Sequence, residues 1–554
     1  MGSSESLPVA TYGHSTAHCN IPSCSNTPRQ ANAAGRGSLS PRNCSRILQR
    51  YIQRLSSEIL MSVLEQHLWP KLQYLDAKSI FVVRSVSQLF NSIATPIAYR
   101  RVVLNELIVR PDAQTLFSKA LEHISTYTNH VVVRNNLKPS GIRKILSRVM
   151  RLSSVTLCYV QDDSHGASTW PIHDVLDYDQ LRTQNTKVNI ENLPLGGSQS
   201  DLHASLLDPA FTRHLVSLKL ARPTPPLTTK VDSLKRLLVQ CSSLETLHYE
   251  DLGQGTSFTF SAGECLPPLS NLVLKSYDWS HSAEEVERHW NLSQMKSLVL
   301  VSVPVLNFLN SISPPDLCNL TRLQVHESLA HASDGREEAT RRLDLLVRKH
   351  IRALEVLDIT CHTNLFHIDS ILQHGGSLRQ VHFRDHVGFT DDDDECPTLR
   401  AEDVTRLGQG LPFVHTLELD MDVALCYPPE FLRGIASFPM LQTLILHVQT
   451  LLRATEKDDP ARDRDYESAM QVFSCLVRLR EKSNPDFAWK SITINVGGWR
   501  RVMLRRMGPE WRRKNARGIF AERCFVLERD ENGRYRVAEQ ECHDGSQYIS
   551  TSQL

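Results

Sequence analysis

The chain has no excess of either charge: 62 Lys and Arg stand against 61 Asp and Glu, a formal net charge of +1 over 554 residues. No global field steers it to nucleic acid or to an anionic membrane surface, so any partner must be recognised locally. No apolar run approaches the roughly 20 residues of a membrane-spanning helix, and the first residues lack the basic-then-apolar order of a secretory signal. An intracellular protein, cytoplasmic, nuclear or both, is expected. The 13 cysteines are scattered without a C-x-x-C pair. Cys158, Cys361 and Cys475 sit in apolar patterns where a reduced thiol behaves as a small hydrophobe, so a disulfide framework is not expected.

Signatures of catalysis are missing as well. There is no G-x-x-x-x-G-K-S/T phosphate loop, no H-E-x-x-H helix and no G-x-S-x-G elbow. The 23 histidines do not fall beside Cys or Ser at a triad-like spacing, although triads assemble from distant residues and a pocket holding His, Asp and Ser or Cys would reveal one. His14, His18, Cys19 and Cys24 fit no standard zinc spacing. The acidic run Asp391 to Glu395 lacks the glycine of a calcium loop and reads as a solvated connection. Met1, Gly2 and Ser6 satisfy the minimal myristoylation pattern, but no basic cluster supplies the second anchoring signal. One run is strongly basic: Arg500, Arg501, Arg505, Arg506, Arg512, Arg513, Lys514 and Arg517, with Trp499 and Trp511 among them. It is either a phosphate-binding or nuclear-import segment or, as favoured here, a cap whose stems cover apolar surface. No catalytic residue, metal or cofactor is assigned, and a non-enzymatic role is expected.

What is present begins at Leu55. Leu55, Ile59, Val63 and Leu64 share one helical stripe; Val82, Val86, Leu89, Phe90 and Ile93 share a second. Asp76 is placed to cap the second helix, and Thr95 before Pro96 is expected to end it. Ile80, Phe81, Val82 and Val83 make that helix apolar around much of its circumference, which calls for cover on more than one side. The order of residues resembles an F-box, the helical module that binds the Skp adaptor of cullin-based ubiquitin ligases. Leu55, Glu58, Ile59, Leu60, Val63 and Leu64 match its opening positions; Leu75, Asp76, Ile80, Val86 and Phe90 match its later half, ending in Ala94. Ser56 stands where the family has proline, and His67 to Tyr74 exceeds its usual first connection. The resemblance implies docking on the Skp adaptor, and through it a cullin, by Leu55, Glu58, Ile59, Leu60, Val63, Leu64, Ile80, Val86 and Phe90. A helical hairpin closing a larger domain is the alternative.

From about Val131 an L-x-x-L-x-L theme recurs: Leu152/Val155/Leu157, Leu215/Leu218/Leu220, Leu244/Leu247/Tyr249, Leu269/Leu272/Leu274, Met295/Leu298/Leu300 and Leu320/Leu323/Val325. It continues as Leu354/Leu357/Ile359, Leu378/Val381/Phe383, Val414/Leu417/Leu419, Leu441/Leu444/Leu446 and Trp489/Ile492/Ile494. From Leu218 to Leu323 the middle positions recur within the roughly 20 to 29 residues of a leucine-rich repeat. Between them lie apolar helical stripes: Val231, Leu234, Leu237 and Leu238; Ile368, Ile371 and Leu372, stopped by Gly375 and Gly376; Phe431, Leu432 and Ile435; and Met470, Phe473, Leu476 and Val477. Helix after strand, repeated, implies parallel strands joined by right-handed crossovers. The pattern resembles the degenerate leucine-rich repeats that follow F-boxes, of the kind common in fungi. The asparagine that usually closes each strand is replaced by Pro223, Tyr277, Val303, His362, His386 and Asp422.

The expected fold is α/β: a disordered tail over 1–45, an F-box-like helical module over 46–104, an irregular leucine-rich-repeat solenoid over 105–496, and a basic cap and tail over 497–554. A generic α/β domain with a parallel sheet is the alternative. Trp511 to Val537 resembles a C-terminal segment of fungal proteins of this F-box group, and Cys524, Val526, Asn532 and Gly533 predict a closing β-hairpin. Residues between the repeat leucines are expected to face outward on a concave strand surface, mostly solvated: Lys219, His248, Val273, Val299, Gln324, Asp358, His382, Glu418 and Ile445, with neighbours Lys275, Arg322, Arg384, Asp420 and His447. Lys219, His248, Lys275, Arg322, Asp358, His382, Arg384 and Glu418 are the candidate substrate face, whose mixed polarity suits a protein partner better than nucleic acid. The resemblance implies a substrate receptor of a ubiquitin ligase; a non-ligase repeat scaffold is the alternative.

Overall fold

The structure, a computed structural model, describes Arg84 and residues 88–160, 170–194, 206–221, 231–251, 255–326, 335–386, 396–423, 425–448, 464–485, 487–496, 523–530 and 532–540. All of them belong to the unit Ala77–Leu554. Its strands are β1 (Arg101–Val103), β2 (His130–Arg134), β3 (Ser154–Cys158), β4 (Lys187–Leu193), β5 (Leu215–Leu220), β6 (Thr246–Glu250), β7 (Asn271–Lys275) and β8 (Ser297–Val301). They continue as β9 (Arg322–His326), β10 (Val356–Cys361), β11 (Gln380–Asp385), β12 (Thr416–Asp420), β13 (Thr443–Val448), β14 (Ser491–Val496), β15 (Arg523–Arg529) and β16 (Tyr535–Gln540).

These form one 16-stranded sheet in strict sequence order. β1 to β14 are parallel, and β15 and β16 close the sheet as an antiparallel hairpin on β14. A doubly wound domain reverses direction at a switch point, whereas here every crossover advances by one strand. The 16 helices among the described residues, with this mostly parallel sheet, are compatible with a repeat solenoid.

Register explains why the strands stack. Leu247, Leu272, Leu298, Leu323, Leu357, Val381, Leu417, Leu444 and Ile492 stand directly opposite one another from β6 to β14. Because side chains alternate along a strand, this row and the row two residues on point to one face. There they share a single core with helix residues such as Leu234, Phe308, Leu343, Ile371, Leu407 and Phe431. The four predicted stripes lie on helices Val231–Gln240, Ile368–Leu372, Pro428–Ala436 and Arg464–Ser483. Helix Ala401–Gly410 comes so close to Pro428–Ala436 that a Cβ on Gly408 would collide with Ser437 Oγ and press on Phe438.

Four differences from expectation have physical reasons. Helix Gln88–Tyr99 runs through Pro96 rather than ending before it. Pro96 lacks a donor for the preceding turn, yet Ile93, Ala94 and Ile97 are buried on either side and hold the segment helical. The sheet begins at Arg101, inside the span assigned to the helical module, and continues past residue 496 through β15 and β16. β4 lacks the leucine theme but buries Val188 and Ile190 in its place. Finally, carboxylates and one amide do the work of the missing asparagines. Asp385 Oδ2 accepts from Thr363 N at 2.8 Å, Asp420 Oδ2 from Asp385 N at 2.8 Å, Asp422 Oδ2 from Cys396 N at 3.3 Å, and Asn135 Oδ1 from Val160 N at 2.8 Å. Each gives a backbone N–H a side-chain acceptor.

None of the nine described cysteines is in a disulfide, and no helix among the described residues is long and apolar enough to cross a membrane. The tail 1–45, the metal-like His14 to Cys24 group, Asp391 to Glu395 and the basic run Arg500 to Arg517 lie outside the described residues.

Candidate functional site

Opposite the helices, the sheet carries the other half of each strand. Register places Lys219, His248, Val273, Val299, Gln324, Asp358, His382, Glu418 and Ile445 in a single row across β5 to β13. A second row, two residues further on, holds Lys275, His326, Thr360, Arg384, Asp420 and His447. Of the residues assigned to the Skp adaptor, only Phe90 is described, half-buried in helix Gln88–Tyr99; Leu55, Glu58, Ile59, Leu60, Val63, Leu64, Ile80 and Val86 lie outside the described residues.

The two rows do not form a uniformly solvated face. Lys219 is exposed, His248, Arg322, Asp358, His382 and Arg384 are half-buried, and Lys275, Glu418, Asp420 and His447 are buried. The reason is spacing: strands about 4.8 Å apart let long ionic side chains lie across their neighbours and exclude water from one another.

Between β9 and β14 this produces a continuous ionic ladder. His326 Nε2 meets Asp358 Oδ1 at 3.1 Å; His382 Nδ1 lies 3.5 Å from Asp358 Oδ2 and 3.4 Å from Glu418 Oε2. Glu418 Oε1 accepts from His447 Nε2 at 2.7 Å and lies 3.7 Å from Arg384 Nη1. Arg384 Nη2 then reaches Asp420 Oδ1 at 3.3 Å, and Asn495 Nδ2 donates to His447 Nδ1 at 3.4 Å. Thr360 Oγ1 bonds His326 Nδ1 at 2.9 Å. His326, Thr360 and Asn495 were not singled out from sequence, although the same alternation carried two residues further along each strand reaches them.

The neighbours set each charge. Burial alone would raise the Asp358 carboxyl, but His326 and His382 outweigh it and hold it well below its usual range. Burial likewise opposes ionisation of Glu418, yet His382, His447 and Arg384 bring it down to about 2. His382, disfavoured as a cation by burial, is raised to about 9 by Glu418 and Asp358. His447 goes the other way, lowered by burial and by Arg384. A neutral ring there donates Nε2–H to Glu418 and accepts from Asn495 at Nδ1, which matches the observed bonds. At the other end of the row, burial followed by Lys275 and Lys219 lowers His248 to about 4.

Stability should therefore fall at both pH extremes. His382, raised from 6.5 to about 9, contributes fully below 6.5 and loses its contribution as pH rises through 9. Glu418, depressed from 4.5 to about 2, contributes above 4.5 and loses its contribution as pH falls toward 2. Thermal unfolding measured against pH should show both flanks, and His382→Gln should flatten the alkaline one; an unchanged alkaline flank would refute the assignment.

Among the described residues no group of His, Cys, Asp and Glu could hold a metal ion. On the sheet face Thr360, His326 and Asp358 form a hydroxyl–imidazole–carboxylate chain, and a serine, a carboxylate and an imidazole also meet on the helix side. Ser370 Oγ donates to Asp344 Oδ1 at 2.5 Å, and His367 Nδ1 lies 3.1 Å from Asp344 Oδ2. The serine is bonded to the carboxylate rather than to the imidazole. Asp344 also accepts from His367 N at 3.0 Å and thereby fixes the start of helix Ile368–Leu372. Comparison with protein-family models and with curated proteins finds no match for this chain.

Proposed function

We propose that this chain is a substrate receptor: helices between Leu55 and Ala94 dock the Skp adaptor of a cullin-type ubiquitin ligase, and a leucine-rich-repeat solenoid presents a protein to be modified. The observation that carries the binding half is the unbroken register of β5 to β14, which sets a long row of side chains on one rigid face. Such a surface recognises extended or folded protein and needs no reactive group of its own. The adaptor half rests on the F-box-like order of residues. The receptor's contribution would be to hold a substrate lysine near the ligase's charged ubiquitin carrier, raising its effective concentration.

Each fully buried leucine or isoleucine contributes roughly 1.5 to 3 kcal/mol against an association cost of about 4 to 15 kcal/mol, so several anchors must act together. Leu55→Ala combined with Ile59→Ala is expected to abolish co-purification of the Skp adaptor while thermal unfolding of the sheet unit stays unchanged. Retained adaptor binding would sink the ligase reading and leave a repeat scaffold.

A further inference from the structure

On the sheet face, nearly every ionic side chain already holds a partner. Lys187 pairs with Glu245 at 3.2 Å, Lys219 with Glu191 at 3.3 Å, Lys275 with Glu250 at 3.5 Å and Arg384 with Asp420 at 3.3 Å. The carboxylates Asp358 and Glu418 are held by histidines. Arg322 differs. Among the described residues no carboxylate lies within ion-pair distance of it, and its Nε is buried without a hydrogen-bond partner. The residue as a whole is half-buried. Val356 stands directly opposite on β10 and Ser297 on β8, while the half-buried Val301 and Val273 and the buried Val299 lie further along β8 and β7.

We propose that Arg322 is the recognition point for an acidic protein segment, one Asp or Glu side chain meeting the guanidinium while an adjacent apolar side chain covers Val273 and Val299. This rests on the sheet face being the partner surface, and names the class of substrate it takes. A half-buried arginine beside apolar surface offers two parallel donors to a planar carboxylate and loses little entropy in doing so. Charge complementarity points to an anion, since the face's own carboxylates are already engaged. A carboxylate fits better than a phosphate because Asp358 lies diagonally adjacent on β10 and repels a dianion more strongly. The closed ladder from β10 to β13 then serves as a rigid flank of the site, and the partner is read on β7 to β9.

The test selects a random linear peptide library on the full chain and measures synthetic versions of the enriched sequences. Enriched peptides should place Asp or Glu beside an aliphatic or aromatic residue. Replacing that acid by its amide should weaken binding roughly tenfold or more. Arg322→Gln should cause a loss of the same size and remove the difference between acid and amide peptides. Val273→Asp, on the half-buried face, should abolish binding of the acidic peptides even if Arg322→Gln fails to fold. Three results would overturn the proposal: enrichment without acidic residues, undiminished acid-over-amide preference in Arg322→Gln, or a phosphoserine peptide that binds more tightly than its glutamate counterpart. Adaptor co-purification by Arg322→Gln should be unchanged. Absence of adaptor binding by the wild type would refute the ligase reading alone, and absence of an Arg322-dependent preference would refute this one alone.

Discussion

Replacing Glu418 by alanine is expected to destabilise the later strands of the sheet by about 3 to 5 kcal/mol, because it removes the buried carboxylate that His382 and Arg384 share and leaves the buried His447 Nε2–H without its acceptor. Glu418 is 7% exposed and is shared by His382, His447 and Arg384. Its removal leaves His382 with Asp358 alone and takes away the acceptor of His447 Nε2–H. Arg384 keeps Asp420 and is affected less. Glu418→Gln separates charge from shape: it preserves an acceptor for His447 but not the counter-ion for His382, so it should recover only part of the loss. In a repeat array, where each unit touches its neighbours, the effect should be local. Hydrogen exchange should quicken in β10 to β14 and remain unchanged in β2 to β5. A loss below about 1 kcal/mol in chemical unfolding would place the ladder among weak surface ion pairs.

The second large effect is expected two strands further along the same sheet. Trp489 is fully buried at the entry to β14, and its Nε1 donates to Leu476 O at 3.1 Å. The Arg480 guanidinium lies 4.6 Å from the ring centre, with Nη1 donating to Phe438 O at 2.7 Å. Arg480 is 2% exposed, and burial lowers its pKa to about 10. Trp489→Ala should cost about 3 to 5 kcal/mol from the lost side chain and its cavity. Loss of the desolvated cation–π contact adds about 2 kcal/mol. Trp489→Phe keeps a π face over Arg480 and should cost markedly less. Equal losses for the two variants, read by urea unfolding, would show that the ring Phe retains contributes nothing and that the loss lies in the indole's own contacts, such as its bond to Leu476 O.

Much of this architecture is legible in the residues themselves. The eleven L-x-x-L-x-L motifs fall on β3 and on β5 to β14, because a buried aliphatic at every second position is both the sequence signal and the physical requirement of a strand packed on helices. β4 escapes the pattern because Val188 and Ile190 fill the core positions without the leading leucine. Helix Gln88–Tyr99 escapes it because the local preference against helix before Pro96 is weaker than the burial of Ile93 and Ile97. The row from Lys219 to Ile445 could be aligned from sequence, since register follows once the leucines are superposed. That Glu418 is buried and Lys219 exposed could not be, because it depends on which neighbouring side chains lie across each.

By itself, then, the sequence determined the periodicity: which residues alternate, which of them face the helices, and which share a row on the open face. It also determined that the net charge is balanced, with one strongly basic run at Arg500 to Arg517. Only the tertiary structure decided what that open face is. It joined His326, Asp358, His382, Glu418, Arg384 and His447, drawn from five strands, into one ladder that consumes its own charge, and it left Arg322 outside that ladder. Alternation along a strand is a property of the chain, whereas ion pairing across strands depends on the side-chain directions and distances of residues 20 to 40 positions apart.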